Sequence, residues 1–173
     1  QGYFGSPALR SAIRLSIRAT PRPRKRKSAK AVTGDVLAKL LATCTTDSLR
    51  DVRDRAMLMV AFASGGRRRS EIAGLRKEQL QPEEPIVVDG GPSLPSLSIH
   101  LGRTKTSGAE NDEVVYLTGR PVESLNAWLN VAKIDKGSVF RAIDRWGNVS
   151  RRPLDPKAIT DIVKHRAGLA GLD

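Results

Sequence analysis

The sequence predicts an α+β domain that is mainly helical and carries a small three-stranded antiparallel sheet. Apolar residues recur at helical spacing before residue 81, three short β-branched runs follow, and helical spacing returns from Pro121 onward. Apolar residues three or four positions apart indicate helices, whereas short β-branched runs between Gly, Pro and Ser indicate strands. The 173 residues suffice for one ordinary domain with a core and an appended segment.

Two helices are predicted at the start of this domain. Thr33 caps the first, in TGDVLAKLLATC, with Asp35 in its first turn. Its apolar side chains share one face: Val36, Leu37, Leu40 and Leu41. Ser48 caps the second helix, SLRDVRDRAMLMVAFA, in which Asp51 and Asp54 occupy the early turns. The MLMVAFA end is apolar on nearly every side, which predicts a central core helix.

The stretch SGGRRRSEIAGL, residues 64–75, places three consecutive arginines where the next helix should begin. That helix is predicted to start near Arg68 or Ser70 and to run through Ile72, Leu75 and Leu80. The start of a helix already carries a partial positive charge and favours anions. Arginines at this position therefore indicate an anionic partner, although a run of arginines alone is also typical of a solvated turn.

Three strands are predicted after Pro82, in PIVVDG, SLSIHL and DEVVYL. The last two are connected by the polar segment GRTKTSGAEN, which contains Arg103 and Lys105. An isolated lysine in a polar turn is usually an ordinary surface residue. The short runs separated by turn residues indicate antiparallel pairing.

The remainder of the chain returns to helical spacing. Pro121 opens a helix in which we expect Trp128 to be a core residue rather than a stacking platform. VFRAIDRWGNVS is predicted to form a small hairpin or loop. Asp155 and Pro156 then cap a final helix, PKAITDIVKHRAGLAG.

The formal charge of +12 makes nucleic acid the leading partner class. A membrane surface is disfavoured because the basic stretches lack an aromatic apolar face. An aromatic content of 4% disfavours single-stranded RNA, which is usually bound by aromatic platforms. The segment 21–32 is predicted to be an extended linker, either solvated or lying along a phosphate backbone as a DNA-binding arm. Its basic residues in PRPRKRK are Arg22, Arg24, Lys25, Arg26 and Lys27.

The cysteine and histidine content excludes several other classes of site. Cys44 is the only cysteine, so an internal disulfide and a cysteine-based zinc cluster are excluded. We expect Cys44 to be buried, because it lies in an apolar helical stretch. The single cysteine and the lack of an evident signal peptide favour the reducing cytoplasm as the compartment. His100 and His165 are isolated, so a metal site is not expected.

The order of these signals resembles the catalytic domain of the tyrosine recombinases, also called the phage integrase family. Members show an apolar helix, a glycine-containing turn, an Arg followed by Ser at i+2 and Glu at i+3, and a Lys in a β-hairpin turn. Arg68, Ser70 and Glu71 match the first element here, and Lys105 matches the second. The resemblance covers residues 33–173, a partial catalytic domain. Residues 7–20 resemble the end of the preceding core-binding domain, and residues 1–6 resemble an expression-tag remnant.

The resemblance implies that a tyrosine attacks a DNA phosphodiester, forms a 3′-phosphotyrosine and releases a 5′-hydroxyl, without metal or cofactor. Arg68 would clamp the phosphate, and Lys105 would protonate the leaving oxygen. Glu71 would either hold the Arg68 guanidinium or buttress the fold. Arg67 and Arg69 would contact the flanking DNA backbone or solvent, and Arg103 would contact DNA. Self-association on duplex DNA, recombination of a mobile element and a nucleoid location are further implications.

Family members continue beyond the equivalent of AGLD into a His-x-x-Arg motif and the nucleophilic tyrosine, which this sequence lacks. HRAG around Arg166 does not match that motif, and neither Tyr3 nor Tyr116 is in a suitable position. We therefore expect a catalytic-domain fragment that is inactive alone. The alternatives are a non-catalytic DNA-binding or assembly protein that retains the fold, and a basic RNA-binding protein.

Overall fold

The computed structural model describes residues 33–102 and 113–172. These residues form five α-helices, a three-stranded antiparallel sheet and a two-stranded hairpin, which confirms the predicted α+β class. The helices are α1 Gly34–Leu41, α2 Leu49–Ala63, α3 Arg69–Ala73, α4 Arg120–Val131 and α5 Pro156–Leu169. The strands are β1 Leu80–Val87, β2 Ser93–His100, β3 Val114–Thr118, β4 Arg141–Ile143 and β5 Val149–Pro153.

The predicted caps of three helices are confirmed. The Thr33 hydroxyl caps α1, and the Ser48 hydroxyl accepts a hydrogen bond from the Asp51 N–H of α2 at 3.2 Å. The Asp155 carboxylate accepts from the Lys157 N–H of α5 at 2.7 Å. Each cap satisfies a backbone donor that has no partner within its helix, so these starts could be located from local sequence alone.

The helix predicted to run from Arg68 to Leu80 is wrong in length. Helix α3 has five residues and ends at Ala73, with Gly74 as its C-cap. Leu75 lies in the connection, where its carbonyl accepts from the Val139 N–H at 2.9 Å. Leu80 is the first residue of β1 and pairs with Ile99. Ile72, Leu75 and Leu80 all pack in the core, but they belong to a helix, a connection and a strand, respectively.

The sheet has the order β1-β2-β3 with antiparallel pairing, as predicted. Strand β1 begins at Leu80, five residues before the predicted start at Pro85, and it includes Pro82. A proline is tolerated there because β1 is an edge strand. One face of the sheet packs on the core through Leu80, Leu97, Ile99 and Leu117.

The core lies between this sheet, α2 and α4, and it confirms two residue predictions. Trp128 is fully buried, and its indole N–H donates to the Val139 carbonyl at 2.8 Å. Cys44 is buried, and this burial raises the pKa of its thiol, which disfavours the reactive thiolate. Within the described residues, none of the helices is long and apolar enough to cross a membrane.

Candidate phosphate-binding site

A tight turn between α2 and α3 carries the three arginines. The Ser64 hydroxyl ends α2 by donating back to the Val60 carbonyl at 2.7 Å. Gly65 and Gly66 then adopt φ values of 81° and 71°, in the left-handed region where a Cβ is strained. Two consecutive glycines in this conformation reverse the chain and place Arg67–Arg69 at the start of α3.

The three arginines have different surroundings. Arg67 is partly buried, donates from Nε to the Ser64 carbonyl at 3.2 Å, and forms an ion pair with Glu113. Arg69 donates from Nη1 to the Thr160 hydroxyl of α5 at 2.9 Å. Arg68 is exposed, and among the described residues its guanidinium has no hydrogen-bond or ion-pair partner. Within the described residues, Arg68 is therefore the arginine of this turn whose guanidinium donors have no protein partner.

The turn lines an open depression of about 440 Å³. Its lining residues are Ser64, Gly65, Gly66, Arg67, Arg68, Glu71 and Glu113. The lining is polar and contains two arginines. Arg67 is paired with Glu113, whereas Arg68 has no carboxylate partner within the part of the chain that the structure describes. Such a depression suits a phosphate group better than an apolar ligand.

Glu71 was expected either to hold the Arg68 guanidinium or to buttress the fold. In the structure its Oε2 accepts from the backbone N–H of Arg68 at 3.1 Å. This bond satisfies a donor at the start of α3 and fixes the backbone of the arginine turn. Glu71 thus buttresses the turn through the Arg68 backbone, and no bond between Glu71 and the Arg68 guanidinium is seen among the described residues.

The Arg67–Glu113 ion pair was not foreseen from the sequence. The hydrogen bond from Arg67 holds the pKa of Glu113 below its ordinary value and raises the pKa of Arg67, so both groups stay charged at neutral pH. The partners are 46 residues apart, and no local pattern connects them. The charge of Arg67 is compensated within the protein, and its predicted contact with the DNA backbone stays a prediction.

The same ion pair fixes one end of the segment that carries Lys105. Residues 103–112 connect β2 to β3, as the resemblance requires, but Arg103 and Lys105 lie outside the described residues. The Leu101 N–H donates to the Glu113 carbonyl at 2.9 Å, so the described residues on either side of this segment are in contact. One of them, Glu113, is bound to the arginine turn through Arg67.

The basic residues of the N-terminal segment also lie outside the described residues. They are Arg22, Arg24, Lys25, Arg26 and Lys27. Their contact with DNA stays a prediction. His100 and His165 are exposed, as expected for isolated face residues. Among the described residues, no group of three or more His, Cys, Asp or Glu side chains is arranged to hold a metal ion.

A buried cluster of charges was missed by the sequence analysis. Arg166 of α5 donates from Nη2 to Asp51 and to Asp54, both at 2.7 Å, and from Nη1 to the Thr43 carbonyl at 2.8 Å. Arg53 pairs with the other oxygen of Asp54 at 2.8 Å. All four charged residues are 9% exposed or less. Each buried charge has a partner, which is the condition for tolerating charges in a core.

This charge cluster fixes α5 against α2, and α5 carries the Thr160 that contacts Arg69. Burial alone would raise the pKa of Asp51, but hydrogen bonds from Thr46 and Arg166 outweigh it, and the pKa lies below its ordinary value of 3.8. A signal was present in the sequence. Arg166 stands seven residues after Ile159, on the apolar face of α5, where a charge requires a buried partner.

Comparison with known proteins agrees with the resemblance. No protein-family model matches the chain. The chain is similar to a protein of Selenomonas ruminantium described as an integrase/recombinase xerD homolog, with 27% identity over 182 residues. The match covers 99% of this chain and 50% of that protein, so the chain spans half the length of this relative. The match supports a relationship to the tyrosine recombinase family along the whole chain.

Proposed function

We propose that this chain is the DNA-binding, catalytic-domain part of a site-specific tyrosine recombinase or integrase, which breaks and rejoins DNA through a 3′-phosphotyrosine intermediate. The observation that carries the proposal is the exposed Arg68 guanidinium, presented by a fixed turn next to two arginines that already have protein partners. The similarity to an integrase/recombinase homolog supports the same reaction class.

In this reaction a tyrosine oxygen attacks phosphorus, and negative charge accumulates on the non-bridging oxygens of the five-coordinate transition state. A guanidinium donates two parallel N–H bonds to such oxygens, with a geometry that a lysine cannot reproduce. The Glu71 bond to the Arg68 backbone and the Gly65–Gly66 turn fix the backbone from which the Arg68 side chain extends. A fixed backbone reduces the reorganisation that the guanidinium needs to reach the phosphate in the transition state.

The departing 5′ oxygen needs a proton, and we propose Lys105 as its donor. Lys105 belongs to the β2–β3 segment, whose last flanking residue, Glu113, is bound by Arg67 of the arginine turn. This anchoring supports an approach of the segment to the phosphate held by Arg68. Phosphate and arginines nearby would tune the lysine toward proton transfer.

Duplex DNA should bind this chain with weak sequence preference and strong salt dependence. Phosphate contacts release counterions, so the logarithm of the affinity falls by about 0.9 per contact for each tenfold rise in salt. Replacing Arg22, Arg24, Lys25, Arg26 and Lys27 together with glutamine should flatten this slope by up to about 4 to 5. Fluorescence anisotropy at several salt concentrations measures both effects. An affinity that does not change with salt would contradict the proposed contact with phosphates.

These 173 residues should form no covalent adduct with DNA. The chain contains two tyrosines, and Tyr116 lies in β3, 68% exposed and paired with Ser98, rather than in the arginine turn. A suicide substrate, which traps the phosphotyrosine, followed by a denaturing gel tests this expectation. An adduct mapped to Tyr116 or Tyr3 would show that the nucleophile has been misassigned. A non-catalytic DNA-binding protein would share the salt dependence described above but would never yield cleavage, even when joined to a nucleophilic segment.

A further inference from the structure

We propose that the tip of the β4–β5 hairpin is a second contact with duplex DNA, in which Trp146 packs against the sugars and base edges of a groove and Arg145 pairs with a phosphate. This inference rests on the proposed function in one respect, namely that the ligand is duplex DNA. Trp146 is 72% exposed, and the guanidinium carbon of Arg145 lies 4.1 Å from the centroid of its ring.

The hairpin turn holds the exposed tryptophan in a defined position. One carboxylate oxygen of Asp144 accepts from the Trp146 N–H at 2.9 Å and from the Asn148 N–H at 2.8 Å. The other oxygen accepts from the Asn148 side-chain amide at 2.9 Å. Gly147 completes the turn with a φ of 86°. A ring presented by a fixed turn loses little conformational entropy when it binds, which is typical of a binding anchor.

The hairpin is also anchored to the body of the domain. Arg50 donates from Nη2 to the Asp144 carbonyl at 3.1 Å, and Arg53 donates from Nη1 to the Arg141 carbonyl at 3.2 Å. Both arginines belong to the first turns of α2, whereas Arg68 follows the end of that helix. The 15 residues of α2 span roughly 22 Å at 1.5 Å per residue. The hairpin is therefore anchored at the start of α2, and the arginine turn follows the opposite end of that helix.

The charge of the hairpin selects an anionic partner. Residues 141–153 contain four arginines and a single acidic residue, Asp144, whose carboxylate is engaged in the turn. Arg145, Arg151 and Arg152 are exposed. An aromatic ring beside arginines combines an apolar contact with sugars or bases and an ionic contact with phosphates, which is the pair of contacts that a DNA groove offers. With a net charge of +12, nucleic acid fits this surface better than a protein partner does.

Tryptophan fluorescence tests the proposal directly, because the chain contains two tryptophans and Trp128 is fully buried. Quenching by acrylamide therefore reports on Trp146. A duplex of about 20 base pairs, roughly 70 Å long, is added to saturation at low salt. We expect the duplex to reduce the quenching constant severalfold, and the Trp146→Phe variant to show little quenching with or without DNA.

The outcomes separate this proposal from the proposed function. If anisotropy shows saturating binding of the duplex while acrylamide quenching is unchanged, the hairpin contact is wrong and the DNA-binding function stands. If the duplex does not bind at any salt concentration, the proposed function itself fails. Protection of Trp146 that rises with protein concentration in the absence of DNA would assign the surface to a second copy of the chain and overturn the proposal.

Affinity measurements on two variants give an independent readout. Trp146→Ala should weaken duplex binding about tenfold without changing the salt slope, because the apolar contact of an aromatic ring is not ionic. Arg145→Ala should reduce the salt slope by about 0.9, the value expected for the loss of one phosphate contact. Tyr116→Ala is the matched control, since it removes an aromatic ring that is 68% exposed on β3. If Trp146→Ala and Tyr116→Ala bind with equal affinity, Trp146 does not contact DNA and the proposal is wrong.

Discussion

Replacing Arg68 with alanine should slow DNA cleavage by on the order of 10²–10³ and leave DNA affinity nearly unchanged. The guanidinium matters most when charge accumulates in the transition state, so its loss appears in the rate of the chemical step rather than in binding. The experiment needs a protein that joins these residues to a nucleophilic tyrosine. Single-turnover cleavage at saturating DNA gives the rate, and a separate titration gives the affinity.

The neighbouring arginines provide the controls for this prediction. Arg68→Lys should restore little of the rate, because an ammonium cannot form the bidentate contact. Arg67→Ala and Arg69→Ala should act mainly on affinity, and Arg67→Ala should also release Glu113 from the turn. Equal losses of rate in all three alanine variants would contradict the assignment of the clamp to Arg68.

Replacing Arg166 with methionine should destabilise the domain by about 3–5 kcal/mol, because it removes the ion-pair partner of buried Asp51 and one of the two partners of buried Asp54. Asp51 and Asp54 would lose the guanidinium that holds α5 against α2. Urea unfolding measures the change in the free energy of unfolding. Lys157→Ala is the matched control on the same helix, since it breaks an ion pair with Asp161 whose side chains are 82% and 57% exposed. The control should cost less than about 1 kcal/mol. A cost of similar size in both variants would contradict the proposed role of the buried cluster.

The pH dependence of the Arg166 effect has a definite sign. The folded pKa of Asp51 lies below its ordinary value of 3.8, so the unfolded chain takes up the proton first as the pH falls. The stabilisation by the cluster is fully present above that value and is lost as the pH falls through the lower folded pKa. The difference in stability between the unsubstituted chain and Arg166→Met should therefore be constant near neutral pH and shrink in acid. A difference that grows in acid would contradict the ionised state assigned to Asp51.

Features set by neighbouring residues could be predicted from the sequence. The caps at Thr33, Ser48 and Asp155 and the burial of Trp128 depend on patterns a few residues long. The length of α3 could not be predicted, because the spacing of Ile72, Leu75 and Leu80 fits a helix as well as a helix followed by a strand.

Contacts between distant parts of the chain were beyond the reach of sequence patterns. Glu113 lies 46 residues from Arg67, and Asp51 lies 115 residues from Arg166. The motif at Arg68 can be recognised from the sequence alone. The structure adds that Arg67 is bound to Glu113 and Arg69 to Thr160, which distinguishes Arg68 from its two neighbours.

A substrate whose 5′-bridging oxygen is replaced by sulfur tests the central claim most directly. A thiolate leaves without protonation, so a group that only supplies the proton becomes dispensable, whereas a group that stabilises the transition-state charge does not. In a protein that carries the nucleophilic tyrosine, the sulfur substrate should restore most of the cleavage rate of Lys105→Ala and little of that of Arg68→Ala. Rescue of both variants, or of neither, would contradict the proposed division of roles between Arg68 and Lys105.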